Sequence, residues 1–197
     1  AWIGTAKIMA TTRPRWRGTL VLIGQPAEET GTGAKAMLAD GLLTRFPRPD
    51  CALAVHVDAR APAGVVGYHA GSILTNADIV NITIFGRGGH GARPDATVDP
   101  IVVSARVVLA LQTIVSREIS PFDPAVITVG TIHGDTKNNI IPDEVRLGLT
   151  VRSFTQSVRQ RLLAAIERNT TAEALAAAAP REPLIEHIEA AHSLVND

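Results

Sequence analysis

Two folds follow one another in this sequence: an α/β segment built on a parallel-rich sheet with flanking helices, then an α+β sandwich of the ferredoxin-like kind. Three observations predict them. In the first third, the continuous apolar runs "TLVLIG" (19–24) and "CALAVHV" (51–57) flank the helical "AKAMLADGLL" (34–43). Runs that are apolar on both faces suit parallel strands covered on both sides. From Asn76 the style changes to the partial alternation of "DIVNITIF", as a half-buried strand requires. The elements after it read β-α-β-β-α-β, the order of a two-layer sandwich.

In chain order, "AWIGTAKIMA" opens in helical rhythm through Trp2, Ile3, Ala6 and Met9. The two apolar runs with a helix between them imply a βαβ unit and its right-handed crossover. The glycine-punctuated "AGVVGYHAGSI" (63–73) reads as short strands and a linker. "DPIVVSARVVLALQTIVSRE" (99–118) is a helix with Asp99 as N-cap and Pro100 at its first position. "AVITVGTIHG" (125–134) and "EVRLGLTVRSF" (144–154) are strands joined through the turn-rich "DTKNNIIPD". A long helix capped by Thr155 or Ser157 ends near Pro180, and "PLIEHIEA" (183–190) supplies a closing strand. The chain begins without methionine and ends without a stop signal, so it reads as a piece of a longer protein.

Bulk composition narrows the function classes. At 46% apolar and 19% charged, the chain is ordinary for a soluble globular protein. Nineteen basic residues cancel nineteen acidic ones, which argues against nucleic acid and anionic membrane surfaces as partners. No apolar run is read as a membrane span, which needs about eighteen residues. The single cysteine, Cys51, excludes an internal disulfide framework and reads as a small core residue of the second strand. The compartment stays open: cytoplasmic is the first expectation, periplasmic or secreted the alternatives.

"FGRGGHGARPD" (85–95) spells G-x-G-x-x-G through Gly86, Gly88 and Gly91. A dinucleotide site would need the last glycine to open a helix and a carboxylate about twenty positions on. Here Arg93-Pro94 follows the turn, the helix starts at Asp99-Pro100, and "RVVLALQT" (106–113) holds no carboxylate. The glycines instead read as a turn whose small residues permit positive φ and leave His90 accessible.

"GQPAEETGTG" places Glu28 and Glu29 beyond the end of the first apolar run, where open α/β sheets bind ligands. Of two adjacent carboxylates, one can hold a cation while the other moves protons. A solvated loop before a helix explains the same residues. His56 ends the second run, so both segments would meet at one sheet edge. Carboxylate with neutral imidazole suits zinc, manganese, cobalt or nickel, and a structural histidine is the plainer alternative.

Together, "QPAEETGTGAKAMLADGLL", "ALAVHVD", "GRGGHGARPDATVDP", "LQTIVSRE", "AVITVGTIHG", "NIIPDE" and "LTVRSF" resemble, in order and over nearly the whole chain, one family. It is the amidohydrolase branch of the dizinc aminoacylase and carboxypeptidase family, which includes hippurate, N-acyl-amino-acid and auxin-conjugate hydrolases. The resemblance implies a partial metal-binding α/β catalytic domain at 1–75, an inserted lid and dimerisation domain at 76–190, and a return to the catalytic domain at 191–197. It implies hydrolysis of N-acyl amino acids or short peptides by metal-activated water, with two divalent ions and a homodimer joined through the lid. Glu28 would be the general base, Glu29 and His56 metal ligands, and His90 the lid histidine that stabilises the oxyanion, often in a partner subunit's site. Asn139 and Arg152 would hold the substrate's free carboxylate. The family's first metal motif would precede Ala1 and its last metal histidine would follow Asp197, so the chain alone is expected to be inactive. Two residues depart from the pattern: Ala59 stands where a proline is usual, and Asp135 where a second glycine is usual, which could strain that turn. A non-catalytic lid that only dimerises is the alternative reading.

Overall fold

The computed structural model describes residues 2–134 and 137–197. Asp135, read above as straining its turn, lies outside the described residues. The chain divides into two compact units, Ala1–Val65 and Val66–Asp197.

The first unit holds helix α1 (Trp2–Thr11), a 3-10 turn at Arg13–Arg15 and helix α2 (Gly33–Ala39). The indole of Trp16 donates to the Met9 carbonyl at 2.9 Å, and the Arg13 guanidinium lies over the Trp16 ring at 4.3 Å, closing the turn after α1. The two expected strands are absent among the described residues. Neither 19–24 nor 51–57 forms a ladder, so the predicted βαβ crossover is not built. Leu53 and Val57 are 96% and 89% exposed, and Cys51 is exposed instead of filling a core. The reason is a missing environment: a parallel strand needs neighbouring strands and a helix layer on each face. The short helices α1 and α2 supply neither.

The second unit contains strands β1 (Gly71–Leu74), β2 (Asn76–Phe85) and β3 (Gly89–His90), helix α3 (Pro100–Thr113), and strands β4 (Ala125–His133), β5 (Ile140–Ile141) and β6 (Glu144–Ser153). Helix α4 (Gln156–Ala176) and strands β7 (Leu184–Ala191) and β8 (Leu194–Asn196) complete it. The main sheet has the spatial order β4-β6-β2-β7 and is antiparallel throughout. With α3 and α4 packed on one face, this is the ferredoxin-like order read from the sequence. Register follows the apolar alternation: Val80, Ile82 and Ile84 of β2 and Val145, Leu147, Leu149 and Val151 of β6 face the helices. They meet Val103, Val107, Leu111 and Ile114 from α3 and Leu162 and Ile166 from α4. β1 and β8 pair with each other, so the segments entering and leaving the sandwich belong to the same unit as the main sheet.

Both long helices start on their predicted caps. Asp99 accepts a hydrogen bond from the Ile101 N–H at 2.8 Å, with Pro100 first in α3, and Thr155 accepts from the Val158 N–H at 3.3 Å. α3 runs on into a π-helical turn, Ile114–Glu118. Contrary to the sequence reading, Pro100–Glu118 is long and apolar enough to pass for a membrane span, with a mean hydropathy of 1.4. One face of it lies against the sheet, where Val103, Val107, Leu111 and Ile114 are buried, while Ile101, Val102 and Leu109 are exposed. α4 ends in a Schellman motif: Ala179 N–H donates to the Ala174 carbonyl and Ala178 N–H to that of Leu175, each at 3.0 Å. The left-handed position in that motif is occupied by Ala178, with φ 54°, instead of the usual glycine.

Candidate functional site

The turn carrying His90 is built by close approach of two backbones. β3 pairs with β5 through Gly89 opposite Ile141 and His90 opposite Ile140. Gly91 N–H donates to the Asn139 carbonyl at 2.8 Å, and Gly86 N–H to the Asp143 carbonyl at 2.7 Å. The expected reason for the glycines is corrected: none of Gly86, Gly88 and Gly91 has positive φ. A Cβ on Gly86 would fall 2.4 Å from the Val98 carbonyl oxygen, and one on Gly88 2.6 Å from that of Ile141. Small residues are needed for contact between strands.

Within this turn, the Ala92 N–H donates to His90 Nδ1 at 3.1 Å. An accepting Nδ1 places the proton of the neutral ring on Nε2. Nε2 has no hydrogen-bond partner among the described residues, and the ring is exposed. Arg93 and Asp95 brace the following turn through a two-pronged ion pair at 3.0–3.1 Å, which holds Asp95 below the usual carboxylate range.

The register of β2 on β6 fixes where the other residues of this unit lie. It runs from Asn76 opposite Ser153 to Phe85 opposite Glu144. His90 follows Phe85, and Asn139 adjoins Ile140, so the two are brought together at the Phe85–Glu144 end. Arg152 sits at the other end, between Ala77 and Val126, exposed on the sheet face away from the helices. The eight residue steps of β6 between Glu144 and Arg152 amount to roughly 26 Å. The structure therefore joins His90 with Asn139 and leaves Arg152 apart.

In the first unit, Glu28 and Glu29 lie on a strained turn. Ala27 has φ 50° and Gly31 φ 67°; Gly31 N–H closes on the Glu28 carbonyl at 2.8 Å. A Cβ on Gly33 would lie 1.6 Å from the Pro26 carbonyl oxygen, so the turn tolerates only glycine there. Both glutamates are exposed. His56 Nδ1 lies 2.6 Å from the Val57 carbonyl, to which it must donate, leaving the lone pair on Nε2. Beside it, the side-chain and backbone N–H groups of Arg60 hold the exposed Asp58 well below the usual carboxylate range. Among the described residues, no three His, Cys, Asp or Glu side chains are grouped to hold a metal. Glu28, Glu29 and His56 are thus not gathered at one sheet edge, because the strands that would carry them there do not form. The donor chemistry of Glu29 and of His56 Nε2 suits a divalent metal, but among the described residues no further ligands stand beside them to enclose one.

Sequence reasoning passed over a charged cluster in the sandwich. Buried Asp78 accepts from Arg159 Nε and Nη2 at 2.9 and 2.7 Å and lies 2.7 Å from His187 Nε2. Arg159 also donates to Glu189 at 2.9 Å, and Glu189 pairs with His192 at 2.7 Å. Its signal in the sequence was an acid in a core-facing position of β2, followed on the same face by the apolar Val80, Ile82 and Ile84.

Comparisons with known proteins agree with this architecture. Residues 75–178 match the peptidase dimerisation domain family of the M20 peptidases. IAA-amino acid hydrolase ILR1-like 2 of Arabidopsis thaliana is 42% identical over 153 residues, 78% of this chain and 34% of that protein. N-acetyl-L-cysteine deacetylase of Bacillus subtilis is 36% identical over 181 residues, 90% of this chain and 43% of that protein. A crystal structure of a Staphylococcus aureus protein described as an aminohydrolase superposes with a TM-score of 0.86 at 33% identity, over 98% of this chain and 50% of that one. A Bacillus subtilis structure described as a dinuclear metal binding peptidase from the M20 family gives a TM-score of 0.70 at 25% identity, over 100% of this chain and 48% of that one. The chain thus spans less than half the length of these curated relatives. By its matched domain, its ordered motifs and its fold, the chain belongs to the M20 peptidase family.

Proposed function

We propose that this chain is part of a metal-dependent amidohydrolase that cleaves the amide bond of N-acyl amino acids or short peptides. The observation that carries this reading is the His90 turn, in which an exposed histidine is held by its Nδ1 so that an Nε2–H remains to donate. Hydrolysing an amide needs a donor where negative charge develops on the carbonyl oxygen, and His90 fills that role. Glu28 takes the proton from the attacking water and returns it to the leaving amine. Glu29 and His56 contribute ligands to two divalent ions, zinc first, with manganese, cobalt or nickel as alternatives, and residues outside this chain supply the rest. When bound, such ions supply a Lewis acid for the carbonyl and acidify the attacking water. Asn139 and Arg152 bind the substrate's free carboxylate.

A small substrate does not reach from His90, which lies by the Glu144 end of β6, to Arg152, roughly 26 Å along that strand from Glu144. The His90–Asn139 end and Arg152 therefore serve different active sites of a homodimer, joined through the sandwich, each site drawing on both subunits. A second reading, that the chain acts only as a dimerisation module, is favoured by the absence of a grouped ligand set among the described residues. The two are separated by assaying the full-length protein with added divalent metal against a panel of N-acyl amino acids. The hydrolase reading expects release of free amino acid that Glu28→Gln abolishes and His90→Ala lowers by about a hundredfold or more in kcat. Absence of turnover with every metal, alongside a stable dimer in sedimentation, would leave the dimerisation module.

A further inference from the structure

We propose that Asp143 is a positioning residue for His90, an inference that rests on the reading of His90 as oxyanion donor. Asp143 grips the histidine turn twice. Its carbonyl accepts from Gly86 N–H at 2.7 Å, and its side-chain Oδ1 accepts from Gly88 N–H at 2.8 Å. The latter is a side-chain bond across 55 positions, two residues from His90. Among the described residues, the other hydrogen bonds between the two segments are backbone bonds: the β3–β5 ladder and Gly91 N–H to the Asn139 carbonyl.

The packing leaves this arrangement no slack. A Cβ on Gly88 would stand 2.6 Å from the Ile141 carbonyl oxygen and 2.9 Å from Asp143 Oδ1, and one on Gly91 3.1 Å from the Asn139 oxygen. Gly88 N–H therefore has the Asp143 carboxylate as its partner at close range, in a bond strengthened by the carboxylate charge. Without that acceptor, the Arg87–Gly88 peptide keeps only the bond from Val98 N–H to the Arg87 carbonyl at 3.0 Å, and a tilt about that single bond shifts Gly89 and His90. The ring would then leave the Ala92 N–H, and Nε2 would lose its fixed direction. Electrostatic stabilisation of an oxyanion depends on a donor already in place, so a carboxylate that never touches substrate still sets the rate.

The test has a spectroscopic arm on the 197-residue chain and a kinetic arm on the full-length enzyme. With 15N-labelled histidine, the His90 ring is identified by the signals lost in His90→Ala. Asp143→Ala should move the His90 ring 15N shifts toward those of a free histidine and speed exchange of the Ala92 amide by about tenfold or more. Asp143→Asn, which keeps an accepting Oδ1, should restore both, and Gly88→Ala should reproduce the Asp143→Ala spectrum. In the enzyme, Asp143→Ala should lower kcat about a hundredfold with KM unchanged, and add nothing in a His90→Ala background. Unchanged ring shifts and Ala92 exchange in Asp143→Ala would overturn the proposal, as would failure of the asparagine to restore them or additive losses in the double variant. Should His90→Ala turn over at the wild-type rate, the oxyanion role falls, and the ring spectrum still decides whether Asp143 holds the histidine.

Discussion

Asp78 and Arg159 meet across the interface between β2 and α4 as a buried, two-pronged ion pair, with Nε to Oδ2 at 2.9 Å and Nη2 to Oδ1 at 2.7 Å. They are 81 positions apart in sequence, and their side chains are 1% and 7% exposed. The fork geometry of guanidinium on carboxylate satisfies both charges where water cannot. His187 and Glu189 extend the pair onto the edge strand β7.

Breaking this pair from one side strands a charge in the core. Arg159→Met should cost about 3–5 kcal/mol, because Asp78 keeps its charge without its main partner. Chemical denaturation of the sandwich checks this. A loss below about 1 kcal/mol would mean that water or His187 compensates.

The same cluster sets an acid limit to stability. Burial alone raises the Asp78 pKa, but hydrogen bonds and charge from Arg159 and His187 outweigh it, and the carboxyl sits below its ordinary value. A depressed acid contributes stability that is fully present above its unfolded value and lost as pH falls through the folded one. Denaturation midpoints should therefore decline below the ordinary aspartate range, near pH 4. In Asp78→Asn, which starts less stable, that decline should be shallower.

Ala178 offers a change in the opposite direction. It holds a left-handed conformation at the end of α4, where an L side chain costs about 1–2 kcal/mol. Ala178→Gly removes that strain, partly offset by glycine's greater freedom in the unfolded chain. A net gain of about 0.5–1 kcal/mol is expected, read as a raised melting temperature. An unchanged or lower melting temperature would mean that the Schellman bonds hold alanine there without strain.

Arg152 is exposed on its sheet and contributes little to folding by position. If it binds the substrate carboxylate, Arg152→Lys in the full-length enzyme should raise KM about tenfold or more with little change in kcat, since lysine loses the two-pronged fit. Equal loss in kcat would instead place Arg152 in contact with the transition state.

The sandwich was legible because each of its elements carries its own period and finds its partners within the chain. Alternation in β2 and β6, the Asp99-Pro100 start of α3 and the Thr155 cap of α4 are all local signals. The segments 19–24 and 51–57 misled for the converse reason. An apolar run tells what must cover a strand, and not whether the cover is there. His90 stood out as a histidine in a glycine turn, yet the reason for the glycines was invisible, since it lies in the backbone of Val98 for Gly86 and of Asn139 and Ile141 for Gly91 and Gly88. Asp78 showed only as an acid at a core-facing position of β2, and the partners of its cluster, Arg159, His187 and Glu189, were hidden because ion pairs between distant positions leave no spacing to read.

The pairing of β1 with β8 has a practical consequence. Gly71 lies opposite Asn196, so the chain enters and leaves the sandwich about one strand spacing apart, near 4.8 Å. A domain whose ends nearly touch can be cut out or grafted as a cassette into a tight loop of an unrelated host without stretching either flank. Such a graft would carry the His90 turn, the Asp143 clamp and the Asp78 cluster together.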